Sequence, residues 1–212
     1  MSDKSIKELA ERNILKEIEK ARIMGLVADI NYLSDKLGIS GANVREVMSD
    51  LIKRGVVRRM DKGYILTEKG RRKLKIGVIS GVFDLIHKGH ITALNEAKRK
   101  CDMLIVIIAR DETVKKRKGR KPINNEEKRL YVVNSLKPVD LAMLGDLNDF
   151  KKPILKILPD KVFLGYDQSL PEEVREIAKK FEVERLKTYV PGESTTNLVN
   201  RIMAFRKEKR EI

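Results

Sequence analysis

Residues 75–90 read "KIGVISGVFDLIHKGH", and they place an apolar run just before His87 and His90, the two histidines of the chain. Continuous apolar runs are typical of strands that are buried on both faces of a parallel sheet. Helical periodicity follows from residue 89, so both imidazoles are expected between a strand end and a helix start. Because free N–H groups at a helix start favour anions, the stretch predicts a phosphate site in an α/β fold.

The same alternation of strands and helices continues through the rest of this half of the chain. Apolar runs predict further strands at residues 103–109, 161–166 and 183–190. Helical periodicity is found at residues 89–100, 126–136, 149–157, 171–181 and 194–209. The pattern predicts an open, mostly parallel sheet that binds ligands at the carboxyl ends of its strands.

The chain before residue 75 has a different pattern. Helical spacing of apolar residues over 5–22 is followed by a short helix, a "GIS" turn and a further helix at 41–54. Two short strands over 56–66 surround a turn at Asp61, Lys62 and Gly63. This order resembles a winged helix-turn-helix domain, with 41–54 as recognition helix and 56–66 as wing. We therefore expect two domains, 1–74 and 75–212.

Composition restricts the partners and the compartment. The net charge of +15 and the pI near 9.8 favour polyanions such as nucleic acid or nucleotide phosphates. A single cysteine, Cys101, gives no internal disulfide and too few ligands for a Cys/His zinc site. No apolar run reaches the length of about 18 residues that a membrane span needs. We expect a soluble protein of the reducing cytoplasm, without a membrane partner.

The sequence motifs resemble those of one enzyme superfamily. "GVFDLIHKGH" is similar to the His-x-Gly-His signature of the nucleotidyltransferases that include the cytidylyltransferases. "ARDETVKKRKGRKPINNEEKRLYVVNSLKPVD" and "FLGYDQ" resemble archaeal FAD synthases, and "GESTTNLVNRI" resembles the terminal Ser-Thr-Thr loop of the family. The resemblance covers about residues 75–204 and implies a Rossmann-like nucleotidyltransferase fold for the second domain.

The resemblance also implies a role for particular residues. His87, His90 and Lys118 would stabilise charge on the reacting phosphates, as electrostatic donors rather than nucleophiles. Arg120 and Arg129 would contact the acceptor or a phosphate. The residues implied in nucleotide binding are Val82, Phe83, Asp84, Gly89, Asp111, Lys115, Gly165, Asp167, Gln168, Ser194, Thr195 and Thr196. The basic run "KKRKGRK" is equally compatible with a solvated loop, and Ser194 with an ordinary helix cap.

The reaction implied is transfer of a nucleoside monophosphate to a phosphorylated acceptor, with release of pyrophosphate. ATP and FMN are the expected substrates, and CTP with glycerol phosphate or a similar small phosphate is the alternative. Mg²⁺ is expected to arrive with the triphosphate, because it keeps several waters and needs few protein carboxylates. No metal site formed by the protein itself is expected.

The first domain leaves further alternatives open. Residues 41–74 hold ten basic and four acidic residues, and Arg45, Lys53, Arg54, Arg58 and Arg59 are candidate contacts to duplex DNA. The protein would then be an enzyme with an accessory DNA-binding domain, or a DNA-binding regulator whose second domain senses a nucleotide. A purely structural domain that mediates dimer contacts is the third possibility. We expect a homodimer.

Overall fold

The computed structural model describes residues 3–208 and divides the chain into two compact units, Met1–Lys75 and Ile76–Ile212. This division lies one residue from the boundary expected between 1–74 and 75–212. Residues 1–2 and 209–212 lie outside the described part, as does the last residue of the helix expected at 194–209. Each unit is described by itself below.

The first unit consists of helices and one antiparallel hairpin. Asp29 and Ser40 cap the starts of two of the helices through their side chains, and Gly38 ends the first of these with a left-handed backbone. Val44, Met48 and Leu51 form the buried face of the longer one. The elements are α1 (Asp3–Met24), α2 (Ile30–Leu37), α3 (Gly41–Lys53), β1 (Val57–Met60), β2 (Gly63–Leu66) and α4 (Glu68–Arg71).

The second unit is built on a five-stranded parallel sheet with the order β5-β4-β3-β6-β7. The predicted α/β class with a parallel sheet is confirmed. Its strands are β3 (Ile76–Gly81), β4 (Met103–Ile108), β5 (Leu141–Leu144), β6 (Lys161–Leu164) and β7 (Glu182–Arg185). The chain leaves β3 towards β4 on one side and returns to β6 on the other. A crevice therefore opens at the carboxyl end of β3, where open α/β sheets bind ligands.

Helices connect these strands. They are α5 (Lys88–Lys98), α6 (Asp111–Lys118), α7 (Glu126–Asn134), α8 (Lys151–Ile157), α9 (Glu172–Arg175) and α10 (Thr195–Glu208), with a 3₁₀ turn at Ala178–Lys180. In the second unit, two elements were not predicted from the sequence, the strand β5 and the helix α6. β5 has only four residues, and α6 is so rich in lysine and arginine that its sequence resembles a solvated loop. Within residues 3–208, no helix combines the length and apolar character that crossing a bilayer requires.

The core of the second unit surrounds β4, in which every residue from Met103 to Ile108 is buried. Close packing also explains Gly77 in β3, where a Cβ atom would lie 2.5 Å from the ring of Phe163 and 2.8 Å from the sulfur of Cys101. A side chain at this position would force the strand away from its neighbours. The core fixes the strand ends, and hence the crevice above them.

Candidate active site

The two histidines lie where the sequence predicts them, at the first turn of α5. His87 is the N-terminal cap of the helix, although its side chain makes no capping hydrogen bond, and His90 follows one turn later. Their ring centres are 3.8 Å apart. Gly89 favours this packing, because a Cβ atom there would lie 3.1 Å from the His87 ring and would crowd it. The two imidazoles therefore form a single polar surface beside free helix N–H groups.

Burial keeps this pair neutral. Desolvation, followed by the nearby His87 and Lys118, lowers the pKa of His90 to about 4. Desolvation also lowers the pKa of His87, while Glu193 acts in the opposite direction. In each ring the Nδ1 atom is buried and has no hydrogen-bond partner within the described residues. Buried polar atoms are normally paired, so these two suit a ligand that supplies hydrogen bonds.

Phe83 packs beside His90. Its backbone has φ of 51°, in the left-handed region that residues other than glycine rarely adopt. The ring is buried, its centre is 5.1 Å from that of His90, and it leaves no room for a Cβ atom on Gly81. The strained turn after β3 thus places an aromatic ring beside the imidazole.

A cleft of about 390 Å³ opens in front of the histidines, and most of the predicted site residues line it. Lys118 and Arg120 approach from the end of α6 and the loop that follows it. The other predicted residues along the cleft are Val82, Phe83, Asp84, Gly89, Gly165, Asp167, Gln168, Ser194, Thr195 and Thr196. Segments far apart in sequence therefore form one site, in which Lys118 and Arg120 face the two histidines across a lining of mixed polar and apolar groups.

Several of these residues are already committed to hydrogen bonds that shape the cleft. Asp84 is buried, and its carboxylate accepts hydrogen bonds from the backbone of Ile123 and Asn124, each at 2.9 Å. The Gln168 side chain accepts one from Gly165 N–H at 3.0 Å. Ser194 caps α10 by accepting one from Asn197 N–H at 3.1 Å. Asp84, Gln168 and Ser194 thus hold the walls of the cleft in place.

Arg129 requires a correction. Its side chain is fully buried and donates to the carbonyls of Asn124, Val82 and Ala109 and to the carboxylate of Asp111, at 2.5–3.0 Å. The guanidinium ties three loops together and lines no cleft, so it is not positioned to contact the acceptor. Burial of an arginine on the inner face of α7 is a tertiary effect that periodicity alone does not reveal.

Asp111 and Lys115 also lie away from the cleft. The Asp111 carboxylate accepts hydrogen bonds from the Arg129 guanidinium at 2.6 Å and from the backbone N–H of Glu126 at 3.2 Å. It therefore stabilises the first turns of α6 and α7. Lys115 is exposed on α6, and neither it nor Lys116 lines the cleft that Lys118 borders. Of the lysines in the basic run that the resemblance pointed to, the structure therefore places Lys118 at the site.

A second cavity, also of about 390 Å³, lies at the carboxyl ends of β4, β5 and β6. Apolar side chains from α8 and α9, such as Phe150, Ile154 and Val174, form much of its wall. Residues shared with the first cleft form the boundary between them: Ser80, Gly81, Val82, Val114, Lys118, Asp167 and Gln168. The two spaces adjoin at Lys118, so a group bound in one can reach a group bound in the other.

Comparison with known proteins shows the family of this fold. A family model described as "Cytidylyltransferase-like" matches residues 78–207. The chain belongs to the cytidylyltransferase-like family. The match spans the histidine pair, both cavities and most of α10, so it covers the whole site. The protein is accordingly an enzyme of the nucleotidyltransferase type.

Individual members of the family give closer comparisons. The FAD synthase of Archaeoglobus profundus is 45% identical over 139 residues, which are 62% of this chain and 88% of that protein. The FAD synthase of Ferroglobus placidus is 45% identical over 139 residues, or 62% and 90% of the two chains. The crystal structure of the lipopolysaccharide core biosynthesis protein from Thermoplasma volcanium GSS1 is 37% identical, with a TM-score of 0.51, over 55% of this chain and 99% of that one.

Sequence reasoning missed one contributor to the site of this cytidylyltransferase-like enzyme. Glu96 is buried on α5 and holds the segment after β7, where Thr188 lines the first cleft. A glutamate on the last turns of a helix gives no local signal of such a role. The apolar second cavity was missed for the same reason, because its lining residues come from segments far apart in sequence.

The predicted DNA contacts lie in the first unit, outside the family match. Arg45 and Lys53 are exposed on α3, and Arg58 and Arg59 on β1. Successive residues of a strand point to opposite faces, so the two arginines of β1 do not share one face of the hairpin. Arg54 requires a correction: it is paired with Glu11 at 2.6 Å and Asp50 at 3.0 Å, so it is engaged within the unit.

Proposed function

We propose that this protein is an FAD synthase, which joins the AMP moiety of ATP to FMN and releases pyrophosphate. The observation that carries the proposal is the pair of cavities that adjoin at Lys118, one of mixed polar and apolar lining beside the histidines and one largely apolar. A transferase for two bound substrates needs both spaces, and a flavin ring needs an apolar one. The names of the relatives in Archaeoglobus and Ferroglobus support the same substrates.

The reaction requires that the protein position the two substrates and neutralise the charge of their phosphates. A phosphate oxygen of FMN attacks the α-phosphorus of ATP in line, a new P–O bond forms, and the bond to the β-phosphate breaks as pyrophosphate leaves. Lys118 lies at the meeting point of the two cavities and would contact the α-phosphate. His87 and His90, at the start of α5, would donate hydrogen bonds as charge develops on the transferred group. Thr195 and Thr196 would hold the triphosphate.

Mg²⁺ would enter bound to the triphosphate, as part of the substrate. Among the described residues, no group of three or more His, Cys, Asp or Glu side chains could hold a metal ion. The carboxylates of Asp84 and Asp111 are committed to hydrogen bonds, as described above. Among the described residues, Asp167 is the carboxylate that lines both cavities. This donor set fits an ion that keeps its phosphate and water ligands.

A direct assay distinguishes the substrates. The purified protein is incubated with Mg²⁺, FMN and either ATP or CTP, and the flavins are separated by chromatography. FAD formed from ATP supports the proposal. Release of pyrophosphate from CTP with glycerol phosphate, without a flavin product, would instead assign the protein to the cytidylyltransferases that act on small phosphates. His90→Ala is the matched control for contaminating activity.

We further propose that the first unit binds duplex DNA through α3 and the β1–β2 hairpin. The support is the exposed basic set Arg45, Lys53, Arg58 and Arg59 on these two elements. The test is fluorescence anisotropy with duplex DNA at low salt. Because Arg58 and Arg59 lie on opposite faces of the hairpin, Arg58→Ala with Arg59→Ala is expected to reduce the salt dependence by about one phosphate contact.

The control for that experiment removes the same charge elsewhere. Lys128 and Lys137 are exposed in the second unit, and replacing both with alanine is expected to leave DNA binding nearly unchanged. Equal losses in the two double variants, or no binding by the intact protein, would contradict a dedicated DNA surface. The expected homodimer remains a prediction, which light scattering at micromolar concentration tests.

A further inference from the structure

The second cavity contains an aromatic ring that is covered by a cation. The guanidinium carbon of Arg117 lies 4.9 Å from the centre of the Phe150 ring, and both side chains line the cavity. Among the described residues around this cavity, Phe150 is the only aromatic one. Its face is therefore the surface best suited to a flat, π-bonded ligand.

The loop before α8 fixes the position of this ring. The Asp146 carboxylate accepts hydrogen bonds from the backbone of Asn148 at 2.9 Å and of Asp149 at 3.0 Å. The Asp149 carboxylate accepts one from Lys151 N–H at 2.8 Å. Because these bonds order the loop before any ligand binds, little conformational entropy remains to be lost at Phe150.

Arg117, in contrast, is free to move. The residue is exposed in the last turn of α6, and no carboxylate pairs with it within the described part of the chain. A flat ring placed between Arg117 and Phe150 needs about 7 Å, two carbon contact distances, which is more than the present separation. Arg117 must therefore move outward, and an exposed side chain does so at low cost. Its planar guanidinium then stacks on the other face of the ring.

We propose that the isoalloxazine ring of FMN stacks on Phe150, with Arg117 covering its opposite face. The inference rests on the proposed function, since it names the acceptor of that reaction. Lys118 follows Arg117 in the chain and lies between the two cavities, so a ring at Phe150 directs the phosphate of FMN towards the nucleotide. Phe150 is thus the residue that favours a flavin over a small polyol phosphate.

Flavin fluorescence gives a readout that does not depend on activity. An indole stacked on isoalloxazine quenches its emission, so Phe150→Trp is expected to quench bound FMN strongly. The matched control is Tyr131→Trp, because Tyr131 is 76% exposed on α7 and lines neither cavity. ATP is also titrated into each variant in the absence of FMN, and unchanged ATP affinity excludes a change in the first cleft.

Kinetics and the wild-type protein provide two further measurements. Phe150→Leu is expected to raise the KM for FMN by about three- to tenfold, the effect of one aromatic stack, without changing the KM for ATP. Tyr131→Leu should change neither value. Lumiflavin, which has the ring but no phosphate, should compete with FMN and not with ATP in the wild type. This measurement tests the proposal even if a Phe150 variant fails to fold.

The outcomes separate this inference from the proposed function. Failure of the wild type to bind FMN or form FAD would overturn both. Formation of FAD by a wild type that lumiflavin does not inhibit, or equal flavin emission in Phe150→Trp and Tyr131→Trp, would overturn the stacking alone. A rise in the KM for ATP in Phe150→Leu would place the adenine, rather than the flavin, in the second cavity and would also overturn it.

Discussion

The carboxylate of Glu96 accepts hydrogen bonds from the backbone N–H of Thr188, at 2.9 Å, and from its hydroxyl, across 92 residues of sequence. The backbone N–H of Lys187 donates to the same carboxylate at 3.1 Å. Burial alone would raise the pKa of Glu96, but these hydrogen bonds and Lys100 lower it to about 2. The ionised carboxylate therefore fixes the segment that borders the first cleft, beside the histidines.

Glu96→Gln tests this positioning role. The amide keeps the size of the side chain but replaces one acceptor oxygen with a donor that faces the backbone N–H of Lys187 or of Thr188. We expect a several-fold rise in the KM for ATP with a smaller change in kcat and in the KM for FMN. The measurement is steady-state kinetics with each substrate varied, and Glu96→Asp is the conservative comparison. Equal changes in both KM values would indicate general loss of structure instead.

His90→Ala tests the chemistry. Loss of a preorganised donor to developing charge typically costs about 10²- to 10³-fold in rate. We expect turnover to fall by this amount while ATP still binds, as measured by calorimetry. Wild-type turnover in this variant would show that the histidine pair is not catalytic.

The neutral state of His90 predicts how stability depends on pH. Its pKa is about 4 in the folded protein and 6.5 in a model peptide, so between these values the unfolded chain binds a proton that the folded protein does not. Stability contributed by neutral His90 is complete above pH 6.5 and falls as the pH drops towards 4. The loss is at most about 3 kcal/mol. Urea unfolding of wild type and His90→Gln at pH 7 and 4.5 measures it, and parallel losses would contradict the assignment.

A comparison of Arg129 with Arg120 distinguishes an arginine that stabilises the fold from one that lines the first cleft. Arg129→Met leaves the Asp111 carboxylate and three carbonyls without their donor, so we expect a loss of about 3–5 kcal/mol in the free energy of unfolding. Arg120→Met removes an exposed charge that lines the first cleft, and we expect reduced activity with little change in stability. The two variants compared by urea unfolding and by assay provide the test. Loss of activity with little loss of stability in Arg129→Met would instead indicate that Arg129 contacts a substrate.

Truncation at Lys75 tests the independence of the second unit. Both cavities are lined only by residues from Ile79 or Val78 onwards, and the sheet lies wholly within this unit. We expect the fragment to fold and to keep its activity, as judged by circular dichroism and FAD formation. An insoluble or inactive fragment would support a structural role for the first unit.

The sequence by itself determined the parallel sheet, the place of the histidine pair and most of the segments that line the first cleft. These features are local: apolar runs specify buried strands, and a strand followed by glycine and a helix start specifies an anion site. β5 was not predicted, because a strand of four residues is too short to show a distinct hydrophobic pattern. Tertiary structure alone decided that Arg129 is buried, that Glu96 holds Thr188 and that Phe150 faces a second cavity. The direction and surroundings of a side chain depend on what packs against it, and those partners lie up to 92 residues away.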